Sequence, residues 1–330
     1  MTGQQSFFEG TQPLKIKKPI RLVELFAGIG AQAKALERLG VPFEHYRICE
    51  WDQHAVTSYN AIHGTEFKTS DIQKIHADDL AIVDTERFCY IMTYSFPCTD
   101  LSIAGKQAGM SKGSGTRSGF LWEVERLLTE MTERPQILLM ENVPMVISEK
   151  YMSDFAQWIA FLDDLGYMSK YQILNAKDYG VPQNRARCFM VSWLGDFFYD
   201  FPEPVPLETQ FCDLLEPEVD ERYYLTNQEC EMYDRHYRRH KELGHGFGWS
   251  PIPCGEAAST HTHTHTHGGR SAQRSSQNRE QGRIAYSSRC LCIGRSLQKG
   301  FESWNRIYSP FGIAPTVTCR VDGKLVETAV

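Results

Sequence analysis

Ile20-Arg21-Leu22-Val23-Glu24-Leu25-Phe26-Ala27-Gly28-Ile29-Gly30 is the stretch whose reading decides the fold. Ile20 to Phe26 is apolar at most positions and short, as a buried strand should be. Gly28-Ile29-Gly30 is a turn, and Ala31 to Leu39 reads as a helix with Ala33, Leu36 and Leu39 on one face, ended by Gly40. Glycines between a strand and a helix let the backbone turn sharply and come close to a ligand. Taken alone, this pattern also fits many ordinary turns.

The alternation continues outward. Strands are predicted at Tyr46–Cys49, Phe88–Tyr94, Gln136–Met140, Met168–Asn175 and Arg187–Ser192, with helices at Asp52–Ile62, Phe120–Thr132 and Phe155–Leu165. Strands alternating with helices imply an α/β fold, a parallel sheet covered on both faces. The pattern changes near Asp200. Phe201 to Pro206 carries three prolines, and the sequence beyond is irregular, so a second, smaller domain is expected from about Phe201.

Composition narrows the class. The chain has 330 residues, 42% of them hydrophobic, enough for a substantial core. No apolar run reaches the roughly 18 residues of a membrane span, and Met1 to Gln12 has no signal-peptide core, so a cytoplasmic protein is expected. The ten cysteines show no Cys-x-x-Cys pairing, so neither a disulfide framework nor a metal site is expected. Net charge is −6, yet Arg235 to Gly300 holds eleven Lys or Arg against three Glu, a local balance of +8. A basic lobe on an acidic body suits an enzyme that neutralises phosphates. Thr260 to His267 is four Thr-His repeats. A dinucleotide AC repeat in the gene reads this way in one frame, so an exposed loop of genetic origin is favoured over a metal tract. Slippage in such a repeat would switch the reading frame.

Two clusters carry candidate chemistry. Glu50 ends the second strand, twenty residues after Gly30, where an acidic side chain meets ribose hydroxyls in nucleotide-binding sheets. Trp51 beside it is placed to stack on an adenine ring. Ala33 stands where the third glycine of a pyrophosphate cradle would fall, so adenosine bound without phosphates is the better reading, and S-adenosyl-L-methionine is such a ligand. The second cluster is Ser95-Phe96-Pro97-Cys98-Thr99-Asp100-Leu101-Ser102, directly past a strand's carboxyl end, where open sheets hold their chemistry. A thiolate is soft enough to add to the electron-poor carbon 6 of a pyrimidine. By itself, Cys98 reads better as a buried structural thiol.

Order makes the pattern specific. Phe26-x-Gly28-x-Gly30, Glu50-Trp51, Asp71-Ile72, Pro97-Cys98, Glu141-Asn142-Val143 and Gln183-Asn184-Arg185-Ala186-Arg187 together resemble the 5-cytosine DNA methyltransferase family of bacterial and phage restriction-modification type, over Leu22 to Val191. Arg306 to Pro310 and Ala314 to Thr318 are similar to the segment where such chains re-enter the catalytic core. The resemblance implies a Rossmann-like sheet at 1–200 that binds S-adenosyl-L-methionine and catalyses, a target-recognition domain at 201–304 that binds double-stranded DNA, and a return segment at 305–330. It implies Cys98 as nucleophile and Glu141 as the group bonding ring nitrogen 3 and the amino group. A carboxylate at the end of a buried strand must be protonated or paired. Arg185 and Arg187, alternating on one strand edge, would hold the flipped nucleotide. For the cofactor, Phe26, Gly28, Ile29 and Gly30 form the turn, Glu50 takes the ribose, Asp71 the adenine amino group, Trp51 and Ile72 the adenine faces, and Phe120 closes the pocket.

Two departures are visible. Thr99 stands where the family usually has Gln. The helical and Gly-Asn motifs expected after Thr318, which complete the cofactor pocket, are not found before Val330, so a truncated or split enzyme is expected, either a monomer or one joined by a second chain supplying them. The competing readings are an inactive DNA-binding remnant, an RNA cytosine methyltransferase and, as an outsider, a nicotinamide-dependent oxidoreductase, in which Pro97-Cys98 and Glu141-Asn142-Val143 have no role.

Overall fold

The computed structural model describes residues 15–101 and 108–209 continuously, with scattered residues and short strands elsewhere. The Thr-His repeat and residues 309–330 lie outside the described residues. The chain divides into two compact units, one of residues 1–174 and 187–203, the other of residues 175–186 and 204–330.

The first unit is built on six strands: β1 (Ile20–Leu25), β2 (Phe43–Cys49), β3 (Cys89–Tyr94), β4 (Ile137–Asn142), β5 (Tyr167–Asn175) and β6 (Ala186–Leu194). Their order across the sheet is β2-β1-β3-β4-β6-β5. β1 to β4 run parallel, whereas β6 is antiparallel to β4, so the expectation of a parallel sheet fails at β6. The cause is local: β5 returns to β6 through a short connection, and a short connection joins neighbouring strands only in opposite directions. The chain leaves β1 toward β2 on one side and resumes at β3 on the other. That makes β1/β3 a topological switch point, where open sheets leave a crevice outside their carboxyl ends.

Every residue of β1 except Arg21 is buried, as a central strand of a covered sheet requires. Among the described residues, four helices of eight residues or more flank the strands: α1 (Ala31–Arg38), α2 (Gln53–His63), α3 (Leu121–Glu130) and α4 (Met152–Asp164). Asp52 caps α2 by accepting from the N–H groups of His54 and Ala55, a contribution of about 1 kcal/mol. In α3, Leu121, Val124, Leu127 and Leu128 are buried, at the spacing of one helix face. Leu39, expected on the buried face of α1, is 74% exposed, because the helix ends at Arg38 and only Ala33 is buried. The core centres on β3, β4, α3 and α4, where the fully buried Tyr94 accepts a hydrogen bond from Trp158 Nε1 at 3.1 Å.

In the second unit the described elements are short. Gln183–Asn184 pairs in parallel with Ala258–Ser259, and Cys292–Arg295 pairs antiparallel with Arg306–Tyr308. No helix among the described residues is long and apolar enough to cross a membrane.

Candidate active site

Leu25 is in register with Tyr94, and Tyr94 with Met140. The segments that follow these residues, Phe26 to Gly30, Ser95 to Leu101 and Glu141 onward, therefore leave the sheet side by side at its carboxyl edge. Gln32 Nε2, on α1, donates to Ser95 Oγ at 3.1 Å and ties the first segment to the second.

The Cys98 segment is held from two sides. Buried Asn142, at the end of β4, donates through Nδ2 to the Phe96 carbonyl at 3.0 Å. Ser118, also buried, donates to the Pro97 carbonyl at 2.7 Å and accepts from the Asp100 N–H at 3.2 Å. The Asp100 carboxylate returns the contact by accepting from the N–H groups of Arg117 and Ser118. Pro97 has no N–H to satisfy and fixes φ immediately before the thiol. Of the four cysteines whose side chains are described, Cys49, Cys89 and Cys188 are buried and only Cys98 is partly open to solvent. Burial pushes the Cys188 thiol up to about 12 and Cys49 up to about 11, which leaves both inert as nucleophiles at neutral pH.

Beside it, Glu141 near the end of β4 is paired. Arg187 Nε lies 3.0 Å from Glu141 Oε1, with the two side chains 11% and 22% exposed. Both residues come from facing strands of an antiparallel pair, in which Asn142 opposes Cys188. The requirement for a protonated or paired carboxylate is thus met by pairing. Arg185 departs from expectation. It precedes β6 instead of sharing its edge with Arg187, and it belongs to the second unit. Its N–H donates to Asn175 Oδ1 at 2.9 Å and its carbonyl accepts from Ala176 N–H.

At the other end of the edge, the turn after β1 is bent by left-handed residues. Phe26 has φ 57°, Gly28 56° and Gly30 80°. For Phe, that conformation costs on the order of 1 kcal/mol or more, and it is sustained by hydrogen bonds from the Phe26 and Ala27 N–H groups to the Cys49 carbonyl. Glu50 accepts from the Gly28 N–H at 2.9 Å with one oxygen and from the Asp52 N–H at 3.0 Å with the other. Its carbonyl accepts from Ser70 N–H, which sets Asp71 and Ile72 alongside. Trp51 is 69% exposed, Ile72 is buried, and the Asp71 carboxylate is partly exposed, 3.3 Å from Lys74 Nζ. A Cβ built on Gly28 meets nothing within 4 Å. Phe120, directly before α3, is half-buried and packs on the main core.

This set fits an adenosine ligand. A carboxylate carries about four acceptor positions, so two backbone bonds leave Glu50 capacity for ribose hydroxyls. The exposed Trp51 face next to it is available for stacking. Sequence reasoning assigned no roles to Asn142, Ser118 and Asp100. Asn142 lay inside a quoted motif, but nothing in the sequence signals that its amide reaches back 46 residues to Phe96.

A switch-point crevice carrying a partly open thiol, a paired carboxylate and an edge that fits adenosine suits one class: a Rossmann-like methyltransferase. The family described as C-5 cytosine-specific DNA methylase matches residues 20–305, and the chain belongs to it. It is 31% identical over 258 residues to the type II methyltransferase M2.ScrFI of Lactococcus lactis subsp. cremoris, covering 64% of this chain and 71% of that one. It is 36% identical over 234 residues to the orphan methyltransferase M.SssI of Spiroplasma monobiae, covering 54% and 61%. Among solved structures, Schizosaccharomyces pombe Dnmt2 methyltransferase superposes with a TM-score of 0.58 at 20% identity, covering 79% of this chain and 78% of that one, a likeness of fold. The RNA, remnant and oxidoreductase readings gain no support from the family match.

Proposed function

We propose that this chain transfers a methyl group from S-adenosyl-L-methionine to carbon 5 of cytosine in double-stranded DNA, through a covalent bond from Cys98. The observation that carries the reading is the Cys98 segment itself. It holds the one described thiol that is not buried, is hydrogen-bonded on both sides of it, and follows β3, the neighbour of the strand β4 that carries the Glu141–Arg187 pair.

Carbon 5 of cytosine is a weak nucleophile. Addition of the Cys98 thiolate to carbon 6 makes the ring an enamine, with carbon 5 as its electron-rich end. When bound, the cofactor supplies an electrophilic methyl group on a sulfonium. Glu141 hydrogen-bonds ring nitrogen 3 and the amino group, so a proton held at nitrogen 3 withdraws the charge that the attack creates. Arg187 orients Glu141 through Oε1. Loss of the carbon 5 proton then restores the double bond and expels Cys98. Arg185 would contact the extruded nucleotide, whose removal from the duplex costs a few kcal/mol. Phe26 to Gly30, Glu50, Trp51, Asp71, Ile72 and Phe120 would hold the cofactor. The basic stretch Arg235 to Gly300 supplies the phosphate contacts, within a target-recognition region at 201–304.

The test is a pool of duplex oligonucleotides carrying 5-fluorocytosine, incubated with the chain and S-adenosyl-L-methionine. Fluorine cannot leave carbon 5 as a proton does, so the protein stays attached. A denaturant-stable adduct is expected from the parent and none from Cys98→Ala. An adduct that survives Cys98→Ala, or none from folded parent that binds the DNA, sinks the reading.

A further inference from the structure

We infer that Glu37, His45 and His63 form a site for a divalent cation of the zinc class, set beneath the turn that opens α1. Glu37 lies on α1, His45 on β2 and His63 at the end of α2, so three separate elements bring one ligand atom each within 4.8 Å of the others. His63 Nδ1 is 2.7 Å from Glu37 Oε1, and His45 Nε2 is 3.7 Å from the same oxygen. Ligand atoms around a tetrahedral zinc ion with bonds of about 2.0–2.2 Å lie roughly 3.3 Å apart, so small side-chain adjustments produce the geometry. The spacing hid this site from the sequence, where neither histidine belongs to a metal motif.

Both rings already have the outer partners that ligand imidazoles use. His63 Nε2 is 3.1 Å from the Ile29 carbonyl, and His45 Nδ1 is 3.0 Å from the Tyr59 hydroxyl, which in turn donates to Glu24 at 2.6 Å. Such contacts fix the tautomer and aim the remaining nitrogen at the metal. With Nε2–H of His63 committed to a carbonyl, Nδ1 faces a carboxylate oxygen. That contact needs a cation on it or between the two, either a proton or a metal ion. The Tyr59 hydroxyl spends its proton on Glu24 and so accepts from His45 Nδ1–H, which puts the lone pair of a neutral His45 on Nε2, the atom that faces Glu37. Lys34 Nζ occupies Oε2 at 2.7 Å, which leaves Oε1 as a single-oxygen ligand. The His63 side chain is fully buried, whereas Glu37 is 31% exposed, so an ion and a water as fourth ligand have a route in along Glu37. Two imidazoles, one carboxylate oxygen and an open position suit zinc and its borderline neighbours over magnesium or calcium.

The experiment uses the full chain, stripped of metal, with His261, His263, His265 and His267 of the repeat changed to Gln so that this tract cannot compete. Titration with Co²⁺ alone is expected to give one bound ion per chain, with visible d–d absorption and no near-ultraviolet thiolate charge-transfer band. His45→Gln should weaken binding by about tenfold or more. Lys34→Ala removes a competing cation from an exposed position and should tighten binding several-fold. Circular dichroism checks that each variant folds, and should His45→Gln fail that check, the Lys34→Ala arm decides alone. A parent that binds no ion, a thiolate band, or unchanged affinity in folded His45→Gln or in Lys34→Ala overturns the site in favour of a proton-bridged Glu37–His63 pair.

Discussion

The two ends of the catalytic edge are held in opposite ways. At the β1–β2 end, backbone geometry makes the shape: left-handed Phe26, Gly28 and Gly30 bend the turn, and a side chain, Glu50, serves the backbone N–H of Gly28. At the β3–β4 end the backbone is ordinary, and distant side chains make the shape. Asn142 and Ser118 grip the carbonyls of Phe96 and Pro97, and Arg187 reaches across from β6 to Glu141. The difference suits the two tasks. A cofactor turn must come close to its ligand, which glycine permits at short range. A nucleophile must be held at one distance from its target, which needs rigid partners from several elements.

Breaking the side-chain end should have the larger effect. Arg187→Ala leaves Glu141 largely buried without its ion-pair partner, and removal of one member of a buried pair costs about 3–5 kcal/mol. Urea unfolding should show that loss, and the 5-fluorocytosine adduct should form far more slowly even in the folded fraction. A loss below about 1 kcal/mol would show that solvent reaches the pair and that the β4–β6 end is not held as described. At the backbone end, Gly30→Ala forces a Cβ to within 2.3 Å of His63 Nε2 and 2.6 Å of Tyr59, at φ 80°. Both rings are hydrogen-bonded, so moving clear of the new Cβ strains or breaks a contact. A left-handed alanine together with overpacking should cost about 2–3 kcal/mol, and affinity for S-adenosyl-L-methionine should fall more steeply than the rate of adduct formation. The reverse split would mean that this turn governs the nucleophile as much as the cofactor.

This contrast also explains what the sequence made legible. The turn after β1 was readable because its cause is local: glycines between a strand and a helix, and an acidic residue at a fixed distance. All six strands of the main sheet were located, with ends differing by up to three residues. Cys98, Glu141 and Arg187 were readable only as an ordered set, and their joint placement depends on a strand order that periodicity does not encode. The direction of β6 was missed for that reason, and so was the break at Arg185 between Gln183–Asn184 and β6. Asn142, Ser118 and the Glu37–His45–His63 cluster involve partners 21 to 46 residues apart or on three separate elements, so no spacing pattern announces them.

The smallest expected effect concerns the carboxylate under the cofactor turn. Glu24 is fully buried in β1, accepting from the Tyr59 hydroxyl at 2.6 Å and the Ala33 N–H at 3.3 Å. Burial raises it to about 6 against an ordinary 4.5, even though both hydrogen bonds pull the other way. A carboxyl group whose folded-state value is raised binds its proton more tightly in the native chain than in the unfolded one. Its contribution to stability is therefore fully present below about 4.5 and is lost as pH rises through about 6. The loss amounts to about 2 kcal/mol at one unit per 1.4 kcal/mol. Glu24→Gln keeps the size and an acceptor but cannot titrate. The difference in unfolding free energy between parent and variant should change by that amount between pH 4.5 and 7, in the direction that favours the variant at the higher pH. A flat difference would mean that Glu24 stays ionised in the folded chain, with the Tyr59 hydroxyl and Ala33 N–H compensating its charge in full; the polar network beneath the turn would then be rigidly charged instead of proton-sensitive.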